Sequence, residues 1–426
     1  MNRPRILFAI LDWGIGHATR TTPLIEAAAA SGVEVFVASR GTAAAWLASA
    51  LGGRPGITLL EKPGTPITYA RRGTLLRIAT QMPRFLASIA EESAWAATTA
   101  RTLGITHIVS DNCYGVRVPG IPSVLISHQL HLPVPAPLRP AARAFVQRHA
   151  RRFAEVWVPD LPGPSGGLLS GPLAAPLTTH PHPQSQSQSQ THFIGPLSHL
   201  PAPPSLVPHT PTHTPPSSLR GEAAPHPSSL CGEAAPQPQP QPQPQSQPQP
   251  QPQPQSQPQP PLYLGLVSGP EPHRTRMEHA LRAWMETAPG PDDALRLVIA
   301  GKPGGGRTQA GRVTTWYDPT SEELAWALAE AGTVVCRSGY STLLDLAVLG
   351  RTAVLIPTPG QPEQEDLARH WARAFGFATC TSTDLERGRV PGPAGNPPHV
   401  RANDDAIARL EAWLAATLHP ESAWNS

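Results

Sequence analysis

The sequence predicts an α/β protein with two doubly wound domains, each a parallel sheet covered by helices. Three observations predict this. Short apolar runs alternate with helical segments in both halves of the chain, which is typical of a parallel sheet. A glycine turn follows the first apolar run of each half, at Gly14 and at Gly269, as expected where a strand turns into a helix. A Pro/Gln-rich segment that cannot bury a core lies between the halves.

The N-terminal domain is predicted to cover residues 1–197. Its expected strands are 5–11, 33–38, 57–61, 106–110, 124–126, 156–158 and a short one near 193–197. Helical spacing of apolar residues fills the intervals, above all from 66 to 101. The opening strand, Gly-x-Gly turn and helix are Rossmann-like, but Thr19 stands where a dinucleotide fingerprint has its third glycine. NAD is therefore disfavoured, while Arg40 after strand two leaves NADP open.

The C-terminal domain is predicted to cover residues 262–426. Its expected strands are 262–267, 295–300, 313–317, 333–336 and 353–356, with a closing helix near 404–418. Residues 198–261 between the domains are rich in Pro, Gln, Ser and His, and are predicted to be a disordered, partly polyproline II insertion. A plain spacer and a Pro-rich docking tract are both compatible with that composition.

Charge and cysteine content exclude several classes of protein. The net charge of +3 comes without any Lys/Arg run, which argues against a nucleic-acid partner. The four cysteines show no CxxC spacing, so no metal site and a reducing compartment are expected. No apolar run is long enough to span a bilayer. We expect a cytoplasmic protein, with peripheral contact at the inner membrane face left open.

The stretch from Cys336 to Ala368 carries the most specific pattern. A strand ends at Arg337, a helix follows, and the next strand ends in a Pro/Gly loop before another helix. This stretch resembles the donor-nucleotide-sugar motif of the MurG-like glycosyltransferases of family 28. The matching residues are Arg337, Ser338 and Gly339, the acidic Asp345, and the loop from Pro357 to Gln361 that ends in Glu363, Gln364 and Glu365. The resemblance implies the GT-B fold, in which two Rossmann-like domains face each other across a cleft.

The resemblance also implies roles on the donor side. Asp345 stands where the family has an acid that accepts hydrogen bonds from the ribose, and Gln364 with Glu365 stands where a Gln-Gln pair holds the sugar. Helix starts at this edge offer backbone amides to a diphosphate. The predicted donor-binding residues are Ser268, Gly269, Arg274, Arg337, Ser338, Gly339, Asp345, Gln361, Gln364 and Glu365.

The N-terminal domain is predicted to supply the acceptor side. In GT-B enzymes the loop after strand one often carries a histidine, and here His17 takes that place. A neutral imidazole can take the proton of an acceptor hydroxyl, and Asp111 at the end of another strand can orient it. A helix-start histidine and a turn-capping aspartate are the structural alternatives. The predicted acceptor-binding residues are Gly14, Gly16, Asn112, His128 and Gln129.

The expected activity is transfer of a hexose or N-acetylhexosamine from a UDP-type sugar to an acceptor hydroxyl, with inversion and without metal. No cofactor is expected beyond the UDP-sugar co-substrate. The sequence contains no Asp-x-Asp, the usual metal clamp of the GT-A fold. A lipid-linked molecule and a polysaccharide both fit as acceptor. The alternatives are a nucleotide-sugar 2-epimerase of the same fold and a non-catalytic nucleotide-sugar-binding protein.

Overall fold

The computed structural model describes residues 3–64, 74–177, 190–201, 259–302 and 304–418, with only the backbone described for 74–82. The central part of the predicted insertion, residues 202–258, lies outside the described residues. Its flanks are described. Ser198, which the predicted boundary places in the insertion, is 2% exposed and hydrogen-bonded within the fold.

The N-terminal half forms a parallel sheet of seven strands among the described residues, in the order β3-β2-β1-β4-β5-β6-β9. The strands of this half, with a small hairpin of β7 and β8, are β1 Arg5–Ile10, β2 Glu34–Ser39, β3 Ile57–Glu61, β4 His107–Asp111, β5 Ser123–Ile126, β6 Glu155–Val158, β7 Pro162–Gly163, β8 Gly166–Gly167 and β9 Gln190–Phe193. The helices are α1 Gly16–Ala30, α2 Gly41–Leu51, α3 Thr74–Leu103 and α4 Arg139–Ala150. Residues 6–10 of β1 are fully buried because helices cover both faces.

The C-terminal half forms a second sheet in the order β12-β13-β11-β10-β14-β15. Its strands are β10 Tyr263–Leu266, β11 Arg296–Ile299, β12 Arg307–Ala310, β13 Val313–Trp316, β14 Thr333–Cys336 and β15 Val354–Leu355. Its helices are α5 His273–Thr287, α6 Ser321–Glu330, α7 Tyr340–Leu349, α8 Pro362–Phe375 and α9 Ser382–Glu386. Only β12 runs antiparallel among these strands. Both sheets therefore have the doubly wound topology that the sequence predicts.

The last described helix, α10 Asp404–Leu418, crosses back to the N-terminal half. Ala406, Leu410 and Trp413 are buried in the same cluster as Ile6 and Leu24. The sequence-based division assigns this helix to the C-terminal domain, and the structure places it in the N-terminal core. Helical periodicity identifies the apolar face of such a helix but not the sheet that covers it.

The two halves are packed directly against each other. Leu169 and Leu173, which follow the small hairpin, share a buried cluster with Leu343 and Trp371 of the C-terminal half. Tyr340 donates its hydroxyl to the carbonyl of Pro159 at 2.7 Å, and the indole N–H of Trp371 donates to the carbonyl of Leu169 at 2.8 Å. The ends of α7 and α8 are thereby fixed against the N-terminal sheet edge. Of the helices described, none has the length and apolar character needed to cross a membrane.

Candidate active site

The first group of polar side chains lies where the N-terminal strand order reverses, between β1 and β4. Such a switch point opens a crevice at the carboxyl edge of a parallel sheet. His17 lies on the first turn of α1, and Asp111 is the last residue of β4. Nδ1 of His17 is 2.9 Å from Oδ1 of Asp111. The structure thus brings the two predicted catalytic side chains into direct contact.

Asp111 is fully buried and surrounded by donors. Arg20 donates its Nε–H to Oδ2 at 3.0 Å and a terminal N–H to Oδ1, and Thr21 donates its hydroxyl to Oδ2 at 2.8 Å. Burial opposes ionisation of this carboxyl group, but Arg20 and then His17 outweigh it and hold the pKa of Asp111 well below its ordinary value. Asp111 is therefore a carboxylate at neutral pH.

Nδ1 of His17 has two neighbours, since Arg20 NH2 also lies 2.9 Å from it. A guanidinium only donates and a carboxylate only accepts, so Nδ1 can satisfy one of them at a time. When Nδ1 carries the proton and donates to Asp111, Nε2 keeps its lone pair. That is the arrangement in which an imidazole acts as a general base. The side chain of His17 is 15% exposed, so the ring is not sealed from the crevice.

Arg20 is a residue that the sequence prediction missed. It is 2% exposed and lies three residues after His17 on α1, a spacing that puts both side chains on one helix face. Its NH1 is 3.0 Å from Nδ1 of His128. Nε2 of His128 is in turn 2.9 Å from Oε1 of Glu363, on α8 of the C-terminal half. The helical spacing from His17 was the one signal in the sequence that pointed to Arg20.

The predicted acceptor-binding residues occupy two different environments. Gly14, Gly16 and Asn112 flank the dyad, and both Gly14 and Asn112 have positive φ, at 101° and 55°. The carbonyl of Gly16 accepts the hydroxyl of Ser341 at 2.8 Å, so this turn touches the start of α7. His128 is 3% exposed and turned into the contact between the halves. Gln129 beside it is half-buried.

The second group lies at the switch point of the C-terminal sheet, between β10 and β14. Ser268 and Gly269 follow β10, and Ser338 and Gly339 follow β14. Ser338 donates its hydroxyl to the carbonyl of Gln364 at 2.8 Å. Oε1 of Gln364 accepts the amide of Thr358 at 2.9 Å. The turn after β14, the Pro/Gly loop and α8 are therefore held together at one sheet edge.

Two predicted donor-binding arginines are turned towards the protein itself. The guanidinium of Arg337 is 2% exposed and donates to the carbonyls of Ile356, Pro357 and His273, at 3.1 to 3.2 Å. Arg274 donates to the carbonyls of Ala300 and Gly301. Each arginine holds together the loops that frame the edge. The predicted phosphate clamp of these two residues stays a prediction.

Asp345 also differs from its predicted environment. It is 8% exposed, and its Oδ1 accepts the hydroxyl of Ser198 at 2.7 Å. Burial raises the pKa of Asp345 to about 7, although the hydrogen bond from Ser198 lowers it. The carboxyl group faces the segment that leaves the N-terminal half, so the predicted ribose contact requires that Ser198 give way.

The last two predicted donor residues stand at the start of α8. Gln361 is its N-cap residue, and its buried side-chain oxygen has no hydrogen-bond partner among the described residues. Oε1 of Glu365 accepts the amide of Gly360 at 3.0 Å. Gln361 is thus placed to accept a hydrogen bond from a ligand, while Glu365 closes the Pro/Gly loop. In the described parts of the chain, no group of three His, Cys, Asp or Glu side chains could hold a metal ion.

Comparison with known proteins agrees with this architecture. Residues 307–385 match the glycosyltransferase family 28 C-terminal domain, which confirms the predicted resemblance. A curated relative from Rhizobium meliloti, a UDP-N-acetylglucosamine--N-acetylmuramyl-(pentapeptide) pyrophosphoryl-undecaprenol N-acetylglucosamine transferase, is 30% identical over 107 residues. That match covers 25% of this chain and 28% of the relative, so the chain matches well under two thirds of its relative's length.

Solved structures extend the likeness across both halves. The glycosyltransferase SnogD from Streptomyces nogalater aligns with a TM-score of 0.51 at 15% identity, covering 98% of this chain and 100% of its own. The spinosyn rhamnosyltransferase SpnG also aligns with a TM-score of 0.51 at 15% identity, covering 97% of this chain and 94% of its own. These alignments confirm the predicted GT-B fold, with its two Rossmann-like domains.

Proposed function

We propose that this MurG-like member of glycosyltransferase family 28 transfers a hexose or an N-acetylhexosamine from a UDP-type sugar to an acceptor hydroxyl, with inversion and without a metal ion. One observation carries the proposal. His17, which lies 2.9 Å from Asp111, directly follows Gly16, and the carbonyl of Gly16 accepts the hydroxyl of Ser341 in the stretch that resembles the family's donor motif. A candidate base and a candidate donor site therefore share one crevice.

The proposed step balances as a single displacement. The acceptor O–H gives its proton to Nε2 of His17 while its oxygen forms a bond to the anomeric carbon of the sugar. The bond from that carbon to the diphosphate oxygen breaks, and its electron pair leaves with the nucleoside diphosphate. Asp111 stabilises the imidazolium that forms, as a carboxylate on the far ring nitrogen does in other bases. Attack opposite the leaving group inverts the anomeric centre.

The leaving diphosphate is proposed to lie against backbone amides. Helix α7 begins after Gly339 and no side-chain hydrogen bond caps its start, whereas in the first turn of α5 the amide of Thr275 donates to Oε2 of Glu271. Uncapped N-termini present N–H groups and partial positive charge to anions. Since Arg274 and Arg337 already donate to protein carbonyls, we propose the backbone amides as the hydrogen-bond donors to the diphosphate. Such fixed dipoles stabilise developing charge without reorganisation.

We propose an acceptor with an apolar part, such as a lipid-linked sugar. Trp13 and Ile15, in the turn that precedes His17, are 40% and 37% exposed. Trp13 packs at 5.7 Å on the ring of Phe85. Apolar side chains that stay exposed beside a polar crevice are typical of binding surfaces. The Rhizobium meliloti relative is named for a pyrophosphoryl-undecaprenol acceptor. The apolar chain of such an acceptor could pack against Trp13 and Ile15.

The test is a panel of nucleotide sugars incubated with and without lipid-linked and soluble acceptors. We expect release of the nucleoside diphosphate that depends on an acceptor, and a β-linked product from an α-linked donor by proton NMR. Addition of a chelating agent should leave the rate unchanged. Conversion of UDP-N-acetylglucosamine to a 2-epimer without acceptor would support the epimerase instead. Nucleotide binding with no turnover against any acceptor would favour a binding protein.

A further inference from the structure

We infer that Arg20 is a positioning residue for the dyad of His17 and Asp111, and that Glu363 of the C-terminal half holds Arg20 in place through His128. This inference rests on the function proposed above. Neither Arg20 nor Glu363 was a predicted site residue, and neither is needed for proton transfer itself.

The first step is the way Arg20 binds Asp111. The guanidinium uses Nε and one terminal nitrogen on the two oxygens of a single carboxylate, which is the bidentate geometry that a planar fork provides. Arg20 is 2% exposed and Asp111 is fully buried, so water does not screen the pair. The carboxylate cannot rotate without breaking both bonds. Arg20 therefore sets the direction from which Asp111 faces His17.

The second step fixes the tautomer of His128. NH1 of Arg20 is 3.0 Å from Nδ1 of His128, and a guanidinium has donors but no acceptor. Nδ1 must accept, so the ring is neutral with its proton on Nε2. That proton is donated to Oε1 of Glu363 at 2.9 Å. Burial lowers the pKa of His128, with Glu363 opposing it in part, in agreement with a neutral ring.

The third step is that the hydrogen-bond network crosses from the N-terminal half to the C-terminal half. Arg20 and His128 belong to the N-terminal half, and Glu363 stands on α8 of the C-terminal half. The ring of His128 also stacks on Tyr340 of α7, with 3.9 Å between centroids and 2° between planes. Two contacts from the donor side thus fix this imidazole. Separation of the halves would leave its Nε2–H without that acceptor.

The charged and titratable groups in this hydrogen-bond network come from four elements. Asp111 comes from β4, Arg20 from α1, His128 from the loop after β5, and Glu363 from α8. A continuous series of hydrogen bonds runs from Glu363 to His17. The orientation of the base is therefore coupled to the domain that holds the donor, and the base is correctly placed only when the halves are together.

The first experiment reads the tautomer directly and needs no turnover. The full chain is labelled with ¹⁵N-histidine and studied by NMR without donor, and His128 is assigned by the signal that disappears in His128→Gln. We expect an unprotonated Nδ1 and a protonated Nε2. In Arg20→Met, which removes the donor to Nδ1 while Glu363 still accepts from Nε2–H, Nδ1 should take up a proton at a higher pH than in the wild type, because, besides burial, the charge of Arg20 lowers the pKa of His128. In Arg20→Lys, which keeps one donor, and in the control Arg54→Met, in an exposed ion pair with Glu26, the wild-type pattern should persist.

Two results would overturn this step: a proton on Nδ1 of His128 in the wild type, or a titration of Nδ1 in Arg20→Met that is the same as in the wild type. Should Arg20→Met not fold, the wild-type spectrum alone still decides which nitrogen carries the proton. This readout is independent of catalysis. A chain that transfers no sugar but shows the expected tautomer refutes the proposed function and leaves the role of Arg20 standing.

The second experiment separates positioning from donor binding. In Glu363→Leu, kcat should fall about tenfold or more, because a base displaced by about 1 Å can lose on the order of 100-fold in rate. The donor KM should stay within about twofold. Glu363→Gln keeps an acceptor oxygen and should recover most of the rate, and Glu386→Gln, in an exposed pair with Arg276, should match the wild type. A raised KM with unchanged kcat would make Glu363 a donor-binding residue and overturn the inference.

Discussion

The two sheet edges that meet at the crevice use their charged side chains in opposite ways. At the N-terminal edge, Asp111 and Arg20 contact each other and Nδ1 of His17, and Nε2 of the same ring is the proposed base. At the C-terminal edge, Arg337 and Arg274 are turned away to hold backbone carbonyls. Side chains thus carry the proposed chemistry at one edge, whereas at the other they support loops whose amides are the proposed contacts of the diphosphate. Substitutions should therefore impair catalysis at the first edge and stability at the second.

The largest effect is expected at Asp111, where a substitution should lower both the free energy of unfolding and kcat. Asp111→Asn removes the charge opposite a fully buried guanidinium, and breaking a buried pair costs about 3–5 kcal/mol. It also removes the group that orients His17, which should lower kcat by roughly 10³ to 10⁴. Urea denaturation and initial rates measure the two losses.

The matched control is Glu34→Gln, since Glu34 pairs with Arg5 at the surface, where the two side chains are 33% and 43% exposed. Its stability loss should stay within about 1 kcal/mol. An equal loss of stability in the two variants would contradict the claim that Asp111 is held in a desolvated network.

Substitution of Arg337 should lower stability but change ligand binding little. Arg337→Met leaves buried carbonyls without donors, at about 1–3 kcal/mol for each unsatisfied group, so the free energy of unfolding should fall by several kcal/mol. In protein that remains folded, the Kd for UDP, measured by calorimetry, should change by less than about threefold. A selective loss of UDP binding at unchanged stability would show that Arg337 binds the diphosphate directly, and would contradict the proposed difference between the two edges.

A smaller effect concerns pH. Burial raises the pKa of Asp345 to about 7, above its unfolded value near 4. The folded protein therefore holds a proton that the unfolded chain releases, and stability from this group is present at low pH and lost as pH rises from about 4 to 7. The slope can reach about 1.4 kcal/mol per pH unit. Urea denaturation between pH 5 and pH 8 should show this decline in the wild type and a flatter profile in Asp345→Asn. Parallel profiles would show that Asp345 titrates normally.

Much of the fold could be predicted because the apolar runs are short, fully buried and separated by helical segments. The expected strands of both sheets appear in the structure, except that the last strand of the N-terminal half, expected near 193–197, lies at Gln190–Phe193. The strand β12 was missed because Arg307–Ala310 is polar and exposed at a sheet edge, where no apolar pattern is required. The position of α10 was not predicted, because the apolar face of a helix does not indicate which sheet it packs against.

The candidate site was predictable to a lesser degree. The sequence places His17 after β1 and Asp111 at the end of β4, and the carboxyl ends of parallel strands share an edge. Arg20 and Glu363 were missed, because their roles depend on contacts 91 and 235 residues apart in sequence. The hydrogen bond between Asp345 and Ser198 was not predicted for the same reason, since the two residues are 147 positions apart. Motifs identify a site, but long-range contacts decide which way its side chains turn.

The central claim is that a base in one half acts on a sugar held by the other. It is tested most directly by measuring turnover and the UDP dissociation constant on the same preparation of His17→Gln. Loss of a general base should lower kcat by about 10²- to 10⁴-fold, while UDP binding by the C-terminal edge should stay within about twofold. Unchanged turnover would contradict the claim, as would a loss of UDP binding in parallel with turnover.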